Sequence, residues 1–394
     1  MKGRKYRRNI SGCGLAGMIS EDGRLMSGEA IIRAMAVLHD RSNGLGGGFA
    51  AYGIYPHKKD FYAFHIMYDD IKAKERTDVL LDEMFDIDSE ERIPTKKTPA
   101  ISKGPDLWRY FVTPKVDKCD SLTCEEDYVI DAVMIINTTV DGAFIFSSGK
   151  NMGAFKAVGY PEDVGVFYRL DEYEGYTWIG HGRFPTNTPG WWGGAHPFTI
   201  LDFALVHNGE ISSYGINKRY LESFGYKCTM LTDTEVGAYA FDLLLRKHKL
   251  PVEVACKVLS PPFWADIDRM KNAGDPKAQV YEALRMIYSG ILLNGPFAFI
   301  VGHANGMIGL ADRVKLRPMI AARKDDMLYI ASEEAAVREI SPKLDIVWNP
   351  KAGEPVIGQL KNPVKNDSAG NTKTKNSKNS KNSKKTAQLE GTVA

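Results

Sequence analysis

The sequence predicts an α+β protein. Apolar runs with strand character open the chain and return towards its end, amphipathic helical segments cluster between them, and no internal repeat imposes a solenoid. Leu15, Ala16, Gly17, Met18 and Ile19 read as a buried strand, turned at Glu21, Asp22 and Gly23. Ser27 is placed to cap the next helix, whose Ile31, Ile32, Met35 and Leu38 recur at three and four. That helix ends near His39, Asp40 and Arg41, and Gly44, Leu45, Gly46, Gly47 and Gly48 lead into a strand over 49–55. A glycine-rich turn that follows a helix and precedes a strand reverses the context of a phosphate loop, so these glycines read as close backbone packing. Residues 56–160 read as an insertion with its own small sheet and helices: 78–85 helical, 128–138 strand-rich, Pro94, Pro99 and Pro105 between. Trp178, Ile179 and Gly180, then 201–207, read as strands. Residues 216–224 and 234–250 read as helices, the second stopped by Pro251, with further helices over 252–259, 264–271 and 277–289. Strands return over 297–302, 307–310, 319–321 and 327–332.

Bulk properties narrow the function. The 394 residues suffice for two domains or one enlarged domain. With 44% hydrophobic and 25% charged residues, the composition argues against general disorder. No apolar run reaches the ~20 residues that a bilayer span needs. The formal charge of +2, with much of the positive charge in the C-terminal tail, gives no reason to expect nucleic acid or membrane as a partner. Residues 1–12 are basic and lack an apolar signal core, so they read as a leader, and a cytoplasmic location is expected. Cys13, Cys119, Cys124, Cys228 and Cys256 show no zinc-type paired spacing, so neither a metal site nor a disulfide framework is expected. Residues 359–394, with Lys, Asn and Ser repeats over 375–385, read as a disordered basic tail.

Four segments carry chemistry. Cys13 alone is either a small buried hydrophobe or a nucleophile. Arg183 and Asp233 alone are surface charges, and Asn208 with Gly209 alone is a turn at a strand end. Their settings are Cys13 and Gly14; His181, Gly182, Arg183, Phe184, Pro185, Thr186, Asn187 and Thr188; Leu205, Val206, His207, Asn208, Gly209, Glu210 and Ile211; and Thr232, Asp233, Thr234 and Glu235. Together these resemble the class II glutamine amidotransferase domain of the N-terminal nucleophile hydrolase superfamily, in the form found in glutamate synthases. Asn294, Gly295, Pro296 and Phe297, Ala311, Asp312 and Arg313, Leu316, Arg317 and Pro318, and Ala331, Ser332 and Glu333 extend that resemblance over most of residues 13–358.

The resemblance implies a four-layer α-β-β-α sandwich with a middle insertion, and a glutaminase that releases glutamate and ammonia from L-glutamine. It implies Cys13 as nucleophile, made N-terminal by removal of residues 1–12 so that its own α-amine serves as base. It implies Asn208 and Gly209 as oxyanion donors, Arg183 as clamp for the α-carboxylate, and Asp233 as partner of the α-ammonium. Thr186 and Asn187 are expected to shape the same loop, and Arg41 to stand behind it. With no flavin or iron-sulfur domain recognisable in this sequence, FMN and iron-sulfur clusters are expected only on a separate ammonia-accepting synthase subunit. Other amidotransferase partners are N-methylglutamate synthase, a glutamine synthetase-like protein or an amino-sugar enzyme. A non-catalytic glutamine-binding module is the alternative of another class.

Overall fold

The computed structural model describes residues 12–115, 122–184 and 190–363. Three antiparallel sheets dominate it. The first has seven strands in the order Ile346–Trp348, Ile320–Lys324, Met327–Ala331, Gly14–Ser20, Thr177–Gly182, Gly47–Tyr52 and Met152–Ala157. The second has five: Phe198–Ile200, Phe203–Gly209, Phe297–His303, Gly306–Ala311 and Val356–Gln359. A third, of four strands, runs Phe85–Arg92, Asp106–Pro114, Tyr62–Tyr68 and Ala143–Ser147.

Strand alternation sorts the first two sheets into layers. Leu15 and Ile19 meet Val206, Ala298, Ile300 and Met307 in a core between the sheets. Gly17 lies in the same layer, where an added Cβ would fall 2.7 Å from the Met307 sulfur. Ala16 and Met18 point the other way, onto Ile31, Ala34 and Met35 of the helix Glu29–Val37. Pro161–Phe167 and Glu334–Ile340 cover the same outer face. Beyond the five-stranded sheet, Leu205, Phe299 and Val301 pack on Val236, Ala240 and Leu244 of the helical segments Asp233–Phe241 and Asp242–Lys247. The result is the expected α-β-β-α order.

The middle of the chain departs from its sequence reading. Residues 128–138, expected to be strand, lie in the helix Leu122–Thr139. Its β-branched residues suggested a sheet, but buried Val129, Ala132, Ile136 and Val140 recur at helical spacing and fix one apolar face. The helix expected over 78–85 begins earlier, at Ile71, because the Asp70 carboxylate accepts the Ala73 N–H at 2.8 Å. Met152–Ala157, within the expected insertion, instead forms the edge of the seven-stranded sheet beside Gly47–Tyr52. Ser27 sits one residue before the N-cap, accepting the Glu29 N–H at 3.2 Å. The helix expected over 234–250 is α-helical only through Phe241 and then widens into a π-helical stretch, Asp242–Lys247.

Candidate active site

Register brings the first two motifs together. Gly14 pairs with Gly182 across two antiparallel strands, so Cys13 leaves the sheet beside Arg183 and Phe184. The Phe184 N–H donates to the Cys13 sulfur at 3.3 Å. Arg41 Nε donates to the Cys13 carbonyl at 3.2 Å while its Nη1 pairs with Glu333 at 2.8 Å. Burial pushes the Cys13 thiol above its ordinary pKa, opposed by the Phe184 N–H and by the charges of Arg183, Arg317 and Arg41. Three guanidinium groups thus stand near one sulfur.

The glycine-rich turn explains how Arg183 is held. Its N–H donates to the Gly46 carbonyl at 2.8 Å, and its carbonyl accepts from the Ser42 hydroxyl at 3.1 Å. Gly46 has φ +153, and an added Cβ would lie 3.2 Å from Arg183 Cδ. At Gly48 a Cβ would fall 2.2 Å from the His196 carbonyl. These glycines allow close backbone approach, as their context indicated.

The other motifs stand on the five-stranded sheet at the same end. His181, next to Gly182, donates from Nε2 to the His207 carbonyl at 3.0 Å, joining the two sheets there. Asn208 follows, 1% exposed, and neither atom of its side-chain amide has a hydrogen-bond partner among the described residues. A buried amide left so is costly in a finished core, and suits a site that a polar ligand completes. The strand Phe198–Ile200 ends its pairing at Leu205, so beyond it no strand among the described residues pairs with this edge. Here the His207 N–H is accepted by His196 Nδ1 at 3.3 Å. Antiparallel alternation then aims the Gly209 N–H at the same edge. Phe297, opposite Gly209, turns its own N–H to Asp312 at 3.2 Å.

Asp233 opens the helix Asp233–Phe241, with Thr232 as its N-cap. Its Oδ2 accepts the Ile211 N–H at 2.7 Å, and its Oδ1 lies 3.3 Å from the Thr234 hydroxyl and 3.6 Å from His207 Nδ1. Burial opposes its charge, but His207, the Ile211 N–H and Thr234 outweigh that and hold the carboxyl below its ordinary range. The clamp candidate is therefore ionised and anchored to the segment just after Gly209.

Cys13, Arg41, Arg183, Asn208, Gly209 and Asp233 thus share one end of the sandwich. Thr186 and Asn187 lie outside the described residues. The sequence reading did not single out Arg317 or His196 for a role. Arg317 lines a cavity of about 320 Å³ with Lys315, Ser332, Glu333 and Asn349, and makes no ion pair among the described residues. A lone Arg beside Pro318 and a His beside Pro197 give no periodic signal. Among the described residues no three His, Cys, Asp or Glu side chains gather as a metal site, and no helix is long and apolar enough to cross a membrane.

The chain is similar to several known proteins. A protein of Archaeoglobus fulgidus with no assigned function is 53% identical over 352 residues, 89% of this chain and 92% of its own. A Methanothermobacter thermautotrophicus protein, provisionally named a glutamine amidotransferase, is 26% identical over 83% of this chain and 93% of its own. The glutamate synthase [NADPH] large chain of Bacillus subtilis is 26% identical over 61% of this chain but only 17% of its own length. Among solved structures, the glutamine phosphoribosylpyrophosphate amidotransferase of B. subtilis is similar at 17% identity and TM-score 0.45, over 88% of this chain and 47% of that one. The family model for class-II glutamine amidotransferases matches residues 97–347, a stretch that contains Arg183, Asn208, Gly209 and Asp233 and begins after Cys13 and Arg41. With well over half of its length matched, the chain belongs to the class-II glutamine amidotransferases.

Proposed function

We propose that this protein hydrolyses L-glutamine to glutamate and ammonia through a thioester on Cys13, and passes the ammonia to a separate synthase subunit. The observation that carries the reading is the convergence of a Cys13 sulfur bonded by the Phe184 N–H with a buried, unpartnered Asn208 amide at one end of two facing sheets. In this reading residues 1–12 are removed, and the freed Cys13 amine takes the thiol proton and returns it to the leaving ammonia. Arg183 grips the α-carboxylate and Asp233 the α-ammonium, leaving the side-chain amide to reach the sulfur. Asn208 and the Gly209 N–H receive the oxyanion that forms as sulfur attacks. Water then releases glutamate by a second passage through the same tetrahedral geometry.

The four motifs and the alignment with a glutamate synthase large chain support a synthase of that type as acceptor. FMN and iron-sulfur clusters then belong to that partner, and the complex is cytoplasmic. The test measures ammonia release from glutamine by the purified chain alongside its intact mass. Active protein starting at Cys13, and folded but inactive Cys13→Ala, is the expected result. Ordinary turnover by Cys13→Ala overturns the reading.

A further inference from the structure

His196 joins the two halves of the site. Its ring is 7% exposed and stacks on His181 with centroids 3.9 Å apart. Nδ1 accepts the His207 N–H at 3.3 Å, so it carries no proton of its own. Burial, then the neighbouring His181, His207, Arg183 and Lys156, keeps the ring uncharged. The proton therefore sits on Nε2, which meets the Thr234 hydroxyl at 3.2 Å. Thr234 accepts there, meets His207 Nδ1 at 3.2 Å as well, and with both rings facing its oxygen directs its own proton to Asp233 Oδ1 at 3.3 Å. One imidazole thus holds the backbone N–H of His207, the residue before Asn208, through one nitrogen and, through Thr234, adds to the His207 and Ile211 contacts on the Asp233 carboxylate through the other.

We propose that His196 is a positioning residue with two separable outputs: Nδ1 sets the strand that presents Asn208 and Gly209 to the oxyanion, and Nε2 with Thr234 sets Asp233 for the substrate ammonium. This deepens the glutaminase reading above and rests on it. The two outputs fall on different kinetic constants. Strand placement acts on the transition state and so on kcat, whereas the Asp233 contact is made equally in ground and transition states and so acts on KM.

Amide isosteres separate them. An Asn oxygen can stand where Nδ1 stands, and a Gln nitrogen where Nε2 stands. His196→Asn keeps the acceptor for the His207 N–H and loses the Thr234 link, so KM for glutamine should rise about tenfold with kcat within about twofold. His196→Gln keeps the link and loses the acceptor, so kcat should fall about tenfold with KM nearly unchanged. Thr234→Val should copy His196→Asn and add little to it in the double variant, while Thr234→Ser should restore wild-type KM. Steady-state glutaminase assays on folded variants, checked by circular dichroism, give the readout. Equal loss of kcat and KM in both His196 variants, or additive Thr234→Val and His196→Asn effects, overturns the two-output role. Absence of glutamine hydrolysis in the wild type overturns the glutaminase reading instead, so the two failures are distinct.

Discussion

In the proposed mechanism Asn208 and Arg183 address opposite ends of one substrate, and that separates their expected phenotypes. The Asn208 amide is buried without a partner among the described residues, which suits the proposed oxyanion role. Asn208→Ala should lower kcat by on the order of a hundredfold with glutamine affinity nearly unchanged, the mark of an interaction made as charge develops. Arg183→Lys and Asp233→Asn should instead raise KM, because the α-carboxylate and α-ammonium that the proposal assigns to them do not react. Glutamine binding to slowly turning variants, followed by calorimetry, checks the split. Weakened binding with normal turnover in Asn208→Ala would remove Asn208 from the oxyanion. The residues that sequence marked were those whose type is itself chemical: a Cys at a strand start, an Arg and Asp in tight motifs. Arg317 and His196 escaped because the nearness of one to Cys13 and of the other to His207 and Thr234 is defined only by folded neighbours.

At the scale of elements, the strand end Asn208–Gly209 depends on glycine. Gly209 has φ +143, and a Cβ there would fall 1.9 Å from the Pro296 carbonyl oxygen, a backbone atom that cannot swing aside. Gly209→Ala should therefore cost roughly 2 kcal/mol or more and displace Asn208 with it. A lowered melting temperature together with lost activity is expected, and an unchanged melting temperature would contradict the close approach. The strands nearest the site were legible because each is a short apolar run flanked by turn residues: residues 15–19 lie within Gly14–Ser20, and the strand read over 201–207 lies two residues on, at Phe203–Gly209. The helix Leu122–Thr139 was misread because Val129, Ile130, Ile135 and Ile136 favour sheets in isolation, and only packing against the four-stranded sheet selects the helix. The place of Met152–Ala157 at the edge of the seven-stranded sheet depends on long-range pairing with Gly47–Tyr52 and leaves no local mark.

For the whole molecule, two buried groups shape stability against pH. Burial raises the Glu235 carboxyl from its ordinary 4.5 to about 7, against the N–H groups of Met230 and Thr229 and the Tyr239 hydroxyl. The folded state then holds more protons than the unfolded one between those values, so this group's contribution is lost as pH rises from about 4.5 through about 7. Burial lowers Lys156 from 10.5 to about 7, where its ammonium donates to the Gly193 carbonyl at 2.9 Å. Here the unfolded state holds more protons, so stability is gained as pH rises from about 7 towards 10.5. Thermal midpoints across this range should show Lys156→Met lacking the alkaline rise and Glu235→Gln lacking the decline between acid and neutral pH. Parallel curves for wild type and variants would contradict both shifts.

The four-stranded sheet has no solvent-facing side along its central strands. Tyr62, Phe64, Ile66 and Tyr68 enter the core shared with Leu205, Val236 and Leu244, while Ala63 and Met67 enter the core shared with Phe49, Phe155 and Trp178. Tyr110 and Val112 divide from Leu107 and Phe111 in the same way. This sheet is therefore a wedge between two cores and not a detachable graft on an amidotransferase. Scanning calorimetry should record one endotherm for the domain, with calorimetric and van't Hoff enthalpies equal. Excision of residues 71–147 should yield aggregated chain in place of a minimal enzyme, because Leu205 and Phe155, which lie on the two sheets of the site itself, would lose part of their cover.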